Sequence, residues 1–176
     1  MIKSVNRLLK NYLNARKSWE AWCFMAGLNN DLELKGNLVS KNIDNNPLLF
    51  HLRYLAMKDY HIELYKVLKN STNNKDNIYN LLEKRIKSNP KNISELEIVL
   101  KKLRDEEVVI KDLCDIRDKF YAHLDKNFEK YLLNKNKLEK TQYLFSIIEE
   151  IIILLTSYEE LMLNLRTIES REDYFL

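Results

Sequence analysis

Arg117 and His123 are the residues of this chain whose types and spacing point most directly to chemistry. Five residues separate them in the segment RDKFYAH. A histidine, with a reference pKa of about 6.5, can accept or donate a proton near neutral pH. An arginine stays charged and can stabilise the extra negative charge of a five-coordinate phosphorus. The pair therefore suits cleavage of RNA, in which a base frees the ribose 2′-hydroxyl to attack the adjacent phosphate without a metal.

Other enzyme signatures are missing from the sequence, which has no glycine-rich phosphate loop, no His-Glu-x-x-His segment and no Gly-x-Ser-x-Gly segment. A histidine-rich metal site is difficult to assemble from three histidines. Asp59, His61 and Glu63 alternate, and a helix would scatter them over different faces. Cys23 and Cys114 match no metal or redox spacing, so we predict reduced thiols. We therefore expect neither a metal nor a cofactor.

The composition favours a helical protein of the cytoplasm. Glycine and proline occur twice each, although the tight turns between strands rely on them. Hydrophobic residues make up 45% of the sequence, enough for the core of one domain over residues 1–176. The longest apolar run, residues 151–155, is too short to cross a bilayer, and the N-terminus lacks the apolar stretch of a signal peptide. We expect a cytoplasmic domain outside the membrane, and a net charge of +3 does not by itself identify a nucleic-acid partner.

The apolar spacing predicts four long helices and one short helix. The N-terminal helix covers residues 2–27 and ends at Gly27 in a left-handed cap, and a loop over residues 28–46 follows. Asn46 and Pro47 begin the second helix as N-cap and first helical residue, and this helix runs to about residue 68. Its predicted inward residues are Leu49, Leu52, Ala56, Tyr60, Leu64 and Val67. The short third helix lies over about residues 78–86.

Two further long helices complete the predicted bundle. The fourth opens at Ser94 with a capping box and continues through Ile110 to Phe120. Lysines and asparagines over residues 125–137 interrupt the pattern, and the fifth helix spans about residues 138–166 with a broad apolar face. The result is an all-α bundle. Because such bundles serve many roles, function has to be argued from a site.

The segment IRDKFYAHLDK resembles the HEPN superfamily, helical domains whose ribonuclease members carry an arginine, four to six residues and then a histidine. It is close to the form seen in the abortive-infection U type of HEPN protein. A looser resemblance covers the second helix, LLFHLRYLAMKDYHIELYKVL, and the order of helices over about residues 47–166. The resemblance implies a HEPN-like helical bundle over residues 47–166, preceded by the N-terminal helix and the loop.

The resemblance also implies a metal-independent endoribonuclease, typically a toxin or a phage-defence component, with RNA and a protein antitoxin as partners. It assigns His123 as general base or acid, Arg117 as the residue that stabilises phosphate charge, and Asp118 as the polar residue that usually follows the arginine. Six residues of ideal helix turn about 240° beyond one full turn, so the pair shares no face unless the helix unwinds near Ala122. HEPN ribonucleases solve this by dimerising. We therefore expect a C2 homodimer, built partly from the fourth helix, with both pairs in one cleft.

Residues near the pair could support it, and each also has a structural interpretation. Lys119, Lys126 and Lys130 could contact an RNA backbone or lie in a solvated loop. Tyr121 could stack on a base, although packing in the core is the more common role for such a residue. Asp59 lies on the stripe of Leu52, Leu55 and Ile62 on the second helix, where a buried carboxylate could pair with Arg117 or could sit at the wet edge of the stripe.

Two other functions stay open. The chain could be a non-catalytic helical module that binds RNA or a protein partner and keeps the motif without its activity. Alternatively, aromatic residues of the first helix could line a ligand site, although Trp19 and Trp22 are expected to pack in the core. A position of His123 in the cleft of a dimer would favour the enzyme, and a position on an outer face would favour the module.

Overall fold

Helices make up nearly all of the chain that the computed structural model describes, namely residues 2–28, 40–71, 77–88, 90–121 and 135–156. No strand occurs within those ranges. In chain order the helices are α1 (Ile2–Met25), α2 (Pro47–Leu68), α3 (Ile78–Lys87), α4 (Ile93–Asp105), α5 (Glu107–Asp115), a π-helix (Ile116–Tyr121) and α6 (Lys135–Leu155). A short helical segment at residues 40–44 precedes α2. The predicted all-α class is therefore confirmed for these ranges.

The first helix follows its predicted apolar stripe. The buried side chains of this stripe are Val5, Leu8, Tyr12, Ala15 and Trp19. Gly27 has a φ of 74°, a left-handed conformation that glycine adopts without a clash from Cβ. Its N–H donates to the carbonyl of Phe24 at 3.0 Å, and the N–H of Leu28 donates to the carbonyl of Cys23 at 2.9 Å. This Schellman arrangement satisfies the last carbonyls of α1 and confirms the predicted end at Gly27.

The start of α2 also matches its prediction. Pro47 is the first helical residue, and the side-chain oxygen of Asn46 accepts hydrogen bonds from the N–H groups of Leu48 and Leu49 at 3.0 and 3.1 Å. The predicted loop over residues 28–46 is wrong in part, because residues 40–44 are helical. Arg53 of α2 holds this segment through an ion pair with Asp44. A tertiary contact therefore orders a stretch whose local sequence favours a loop.

The core forms where α1, the second half of α2 and α6 meet. The Trp19 ring lies with its centroid 4.9 Å from that of Tyr60 and 6.0 Å from that of Phe145. Tyr12 meets Phe145 nearly edge-on at 5.8 Å. All four rings are buried, and burying a side chain of this size stabilises a fold by about 1.5–3 kcal/mol. The same cluster of buried residues extends to α3, α4 and α5, and it includes Tyr12 and Trp19 of α1.

The predicted fourth helix is the largest difference from the sequence interpretation. A turn at Glu106 separates α4 from α5, and a π-helix continues the chain from Ile116. The predicted capping box is absent, because α4 already begins at Ile93 and the residue before it, Asn92, caps no backbone N–H. Asn92 instead donates from its side chain to the carbonyl of Leu154 at 3.5 Å. The contact with α6 shifts the helix start and leaves Ser94 within the first turn.

The last described helix, α6, begins three residues before its predicted start at residue 138. Its broad apolar face is confirmed in part, because Ile147, Ile148, Ile151 and Ile152 are buried while Ile153 is exposed. The described helix ends at Leu155. The remaining part of the prediction, residues 157–166, lies outside the described residues.

Candidate functional site

The predicted arginine lies on the π-helix that continues α5. The backbone of this π-helix has wider turns than that of an α-helix. Segments of π-helix within α-helices occur frequently at functional sites. Ile116, at the start of the segment, is buried and anchors it to the core. The π-helix packs against α2, so the residues that follow Ile116 come to lie beside the C-terminal end of that helix.

Arg117 is held on both sides while part of its side chain stays in solvent. The guanidinium carbon lies 4.5 Å from the centroid of the Tyr65 ring, which is the range of a cation–π interaction. Its Nη1 donates to Oδ1 of Asp118 at 2.9 Å. The side chain is nevertheless 38% exposed. Arg117 is therefore oriented in advance and accessible to a ligand.

Asp118 connects this arginine to a second cation. Nζ of Lys69 lies 3.3 Å from Oδ2 of Asp118, while Arg117 occupies Oδ1. Partial burial opposes ionisation of the Asp118 carboxyl, but hydrogen bonds from Arg117 and Lys69 outweigh it and hold the pKa below its usual value. Asp118, the polar residue that directly follows Arg117, is therefore a charged carboxylate at neutral pH.

Tyr65 and Lys69 are residues of this site that the sequence interpretation missed. Tyr65 lies in the last turn of α2, and Lys69 is the residue that caps this helix, with its N–H donating to the carbonyl of Tyr65. The Lys69 ammonium nitrogen is 5.4 Å from the centroid of the same tyrosine ring that Arg117 covers. Burial and the nearby Asp118 carboxylate raise the pKa of the Tyr65 hydroxyl. The sequence signal for these two residues is their spacing of four, which lets an aromatic and a basic side chain interact. This spacing does not show that the π-helix with Arg117 would pack beside them.

Asp59 does not lie with this group. It is exposed, and its Oδ2 accepts a hydrogen bond from the Ser18 hydroxyl on α1 at 2.7 Å. The structure thus favours the wet-edge interpretation of Asp59 over the pairing with Arg117. The distance along α2 explains the difference, since Arg117 contacts the helix more than one turn further on, at Tyr65.

The other predicted site residues are described in part or not at all. His123, Lys126 and Lys130 lie outside the described residues. Lys119 and Tyr121 belong to the π-helix, but the structure describes only their backbone and not their side chains. The helix changes its winding at Ile116, whereas Ala122, near which the sequence interpretation allows the helix to unwind, lies outside the described residues.

Both cysteines and His61 are buried in the described chain. Burial raises the pKa of the Cys114 thiol to about 11 and, together with Glu20, that of Cys23 to about 12, so both thiols stay protonated. His61 is buried, with Nδ1 2.7 Å from the carbonyl oxygen of Met57. Within the described ranges, no three histidine, cysteine, aspartate or glutamate side chains gather as a metal site would require.

Comparison with known proteins adds no relative. No protein-family model, no curated protein and no solved structure matches this chain. Among the helices of the described residues, none is both long enough and apolar enough to cross a membrane. The chemistry of the site has to be argued from its own residues.

Proposed function

We propose that this protein is a metal-independent endoribonuclease of the HEPN type, a toxin or phage-defence component of the cytoplasm. The observation that carries the proposal is the placement of Arg117, which Tyr65 and Asp118 orient on a π-helical segment while its side chain stays 38% exposed. A cation held in this way meets a phosphate with little further ordering, which favours transition-state stabilisation. Lys69 places a second positive charge beside it.

In the proposed reaction His123 accepts the proton of a ribose 2′-hydroxyl, and the 2′-oxygen attacks the adjacent phosphorus. The bond from phosphorus to the 5′-oxygen of the next nucleotide breaks, and that oxygen takes up the proton that His123 has accepted. Arg117 stabilises the negative charge that builds up on the phosphate oxygens. The products are a 2′,3′-cyclic phosphate and a 5′-hydroxyl end.

The proposed active species is a C2 homodimer in which two Arg117–His123 pairs share one cleft. The reason comes from the sequence, since six residues of an ideal α-helix would place the two side chains of one pair on different faces. In the structure Arg117 itself lies on a π-helix, and His123 lies outside the described residues. Lys119, Lys126 and Lys130 would then contact the RNA backbone, and a protein antitoxin would be the further partner. Tyr121 would supply a surface for base stacking.

Cleavage of RNA in excess EDTA tests the proposed function. We expect cleavage that survives chelation and leaves 2′,3′-cyclic phosphate ends. His123→Ala should reduce the rate by roughly 10²–10⁴-fold, the usual contribution of general acid–base catalysis. Arg117→Lys should also lose most of the activity, because lysine keeps the charge but not the planar fork that holds two phosphate oxygens.

Arg16→Lys is the matched control, since Arg16 is 40% exposed on α1, outside the predicted fourth helix, and pairs with Glu20 and Glu149. This variant should cleave RNA at the wild-type rate. Both site variants should melt within a few degrees of the wild-type protein. Activity that disappears with EDTA and returns with magnesium or manganese would contradict the proposed chemistry. So would a His123→Ala protein that cleaves RNA normally or fails to fold.

One observation favours a second function, that of a helical module binding a protein partner. Large apolar side chains are exposed along the first half of α2, where they form a stripe of Leu48, Leu52 and Leu55 with exposures of 65%, 44% and 40%. Exposed apolar patches on this scale commonly mark interaction surfaces. Cleavage separates the two functions, because a wild-type protein that associates with a partner but never cuts RNA would be the module.

A further inference from the structure

Lys69 and Arg117 converge on a single carboxylate from two different helices. Lys69 follows the last residue of α2, whereas Arg117 is the second residue of the π-helix. Each takes one oxygen of Asp118, Nζ of Lys69 at 3.3 Å from Oδ2 and Nη1 of Arg117 at 2.9 Å from Oδ1. Tyr65 lies beneath both cations, with its ring centroid 5.4 Å from Nζ and 4.5 Å from the guanidinium carbon. The fold thus builds a pair of cations around one small anion.

A phosphate group offers the same features to these two cations that the carboxylate does. Two of its oxygens carry the negative charge and lie a similar distance apart, and arginine and lysine are the usual protein donors to them. The pair and Asp118 together carry a net charge of +1 from two cations and one anion. A phosphodiester, with a single negative charge, would therefore find an excess positive charge at this place.

We propose that Lys69 and Arg117 together bind a phosphate of the RNA, and that Asp118 holds the two cations in position until that phosphate takes its place. This inference rests on the proposed ribonuclease function for the identity of the ligand, and it adds Lys69 and Tyr65 to the site. Asp118 is then an internal substitute for the phosphate, and the tyrosine ring fixes where the two cations lie.

The exposure of the three charged side chains fits an exchange of one anion for another. The side chains of Lys69, Asp118 and Arg117 are 39%, 34% and 38% exposed. A ligand can therefore reach each of them without disrupting the core. Ion pairs with this much solvent contact are weak, because water screens them and ordering two long side chains costs entropy. A ligand phosphate can displace such a carboxylate without disturbing the packing of Ile116 below it.

A binding assay with uncleavable RNA tests this inference separately from catalysis. The probe is a fluorescently labelled, single-stranded RNA with 2′-O-methyl groups throughout, which lacks the attacking hydroxyl. Fluorescence anisotropy gives its affinity over a range of salt concentrations. Lys69→Gln should weaken binding by roughly threefold to tenfold and reduce the slope of log K against log salt by about 0.7, the value for one lost phosphate contact of a single strand.

Asp118→Asn supplies the opposite arm of the test. Removing the internal anion should tighten binding of the probe, because both cations are then available to the phosphate. In the double variant Lys69→Gln and Asp118→Asn, most of this gain should disappear. Lys66→Gln is the matched control, one turn earlier on α2 and paired with Glu63, and it should leave the salt slope unchanged.

The outcomes separate this inference from the proposed function. Tight, Lys69-dependent binding of the probe with no cleavage of ordinary RNA would support the phosphate site and overturn the ribonuclease. Cleavage of ordinary RNA together with an unchanged salt slope in Lys69→Gln would overturn the phosphate site alone. Weaker binding by Asp118→Asn would also overturn it, as would a wild-type protein that does not bind the probe at low salt. Thermal melting of each variant confirms that the fold is intact.

Discussion

The two halves of α2 differ in burial, although they belong to one continuous helix. The second half, residues 60–68, carries all of the buried residues of this helix: Tyr60, His61, Glu63, Leu64, Val67 and Leu68. The first half, residues 47–59, has none, and its exposed large apolar residues are Leu48, Leu49, Phe50, Leu52 and Leu55. Both halves are equally helical. Burial along this helix is therefore set by neighbouring elements rather than by residue type.

The neighbours explain the difference. From Tyr60 onward α2 meets α6 through Phe145 and Thr141, and it meets the π-helix through Tyr65 and Lys69. The side-chain bonds described for the first half lead instead to Ser18 of α1 and to the segment at residues 40–44. Lys69 and Arg117 thus both contact Tyr65, which lies on the half of the helix that the core holds in place. The other half offers an apolar surface.

Leu64→Ala should have the largest effect of the substitutions that compare the two halves. Leu64 is 1% exposed and belongs to the core cluster, so its truncation removes buried surface and leaves a cavity. We expect a loss of about 2–5 kcal/mol in the free energy of unfolding. Urea denaturation followed by circular dichroism measures it. A loss below about 1 kcal/mol would mean that the second half is packed far more loosely than its burial indicates.

Local sequence signals predicted the helices and several of their ends. Gly27, Asn46 and Pro47 act through their own backbone or through the next few residues, so their roles can be inferred without knowing the fold. The start of α4 could not be predicted in this way, because Asn92 bonds to the carbonyl of Leu154 on a distant helix. The same limit applies to Leu49 and Leu52, whose spacing predicted burial but which are 37% and 44% exposed.

The site was predictable only along the π-helix itself. Arg117 and Asp118 stand out because arginine chemistry and a family resemblance both apply to a continuous segment. Lys69 and Tyr65 lie about 50 residues earlier in the sequence and join the site through helix packing. The position of Asp59 on a stripe of the second helix allowed a pairing with Arg117, but in the structure Asp59 accepts a hydrogen bond from Ser18 of α1 instead. Pairings between helices of this kind require the fold.

Asn46→Ala should have a smaller effect than Leu64→Ala and should act at the start of the first half. The substitution removes the side-chain oxygen that accepts hydrogen bonds from two backbone N–H groups of α2. Losing such a cap costs about 1 kcal/mol, within a range of roughly 0.5–2 kcal/mol. Asn45→Ala, at an exposed neighbouring position, is the control and should stay within about 0.5 kcal/mol of wild type. Equal effects of the two substitutions in urea denaturation would argue against the cap.

Leu52→Ala should have the smallest effect, and it tests the comparison most directly because Leu64→Ala makes the same chemical change on the same helix. Leu52 is 44% exposed, so alanine removes little buried surface, and helix propensity changes little. We expect the free energy of unfolding to change by less than about 0.5 kcal/mol. The change should be the same at micromolar and at about a hundredfold higher protein concentration. A dimer built through the predicted fourth helix leaves this expectation unchanged, since Leu52 lies outside that helix.

Light scattering at each concentration gives the mass of the protein relative to 21.2 kDa for one chain. A loss above 1 kcal/mol that grows with concentration and is accompanied by a fall in mass would show that a second copy covers the first half of α2. The apolar stripe would then be an interface between copies, and the difference between the two halves would describe the isolated chain rather than the protein in solution.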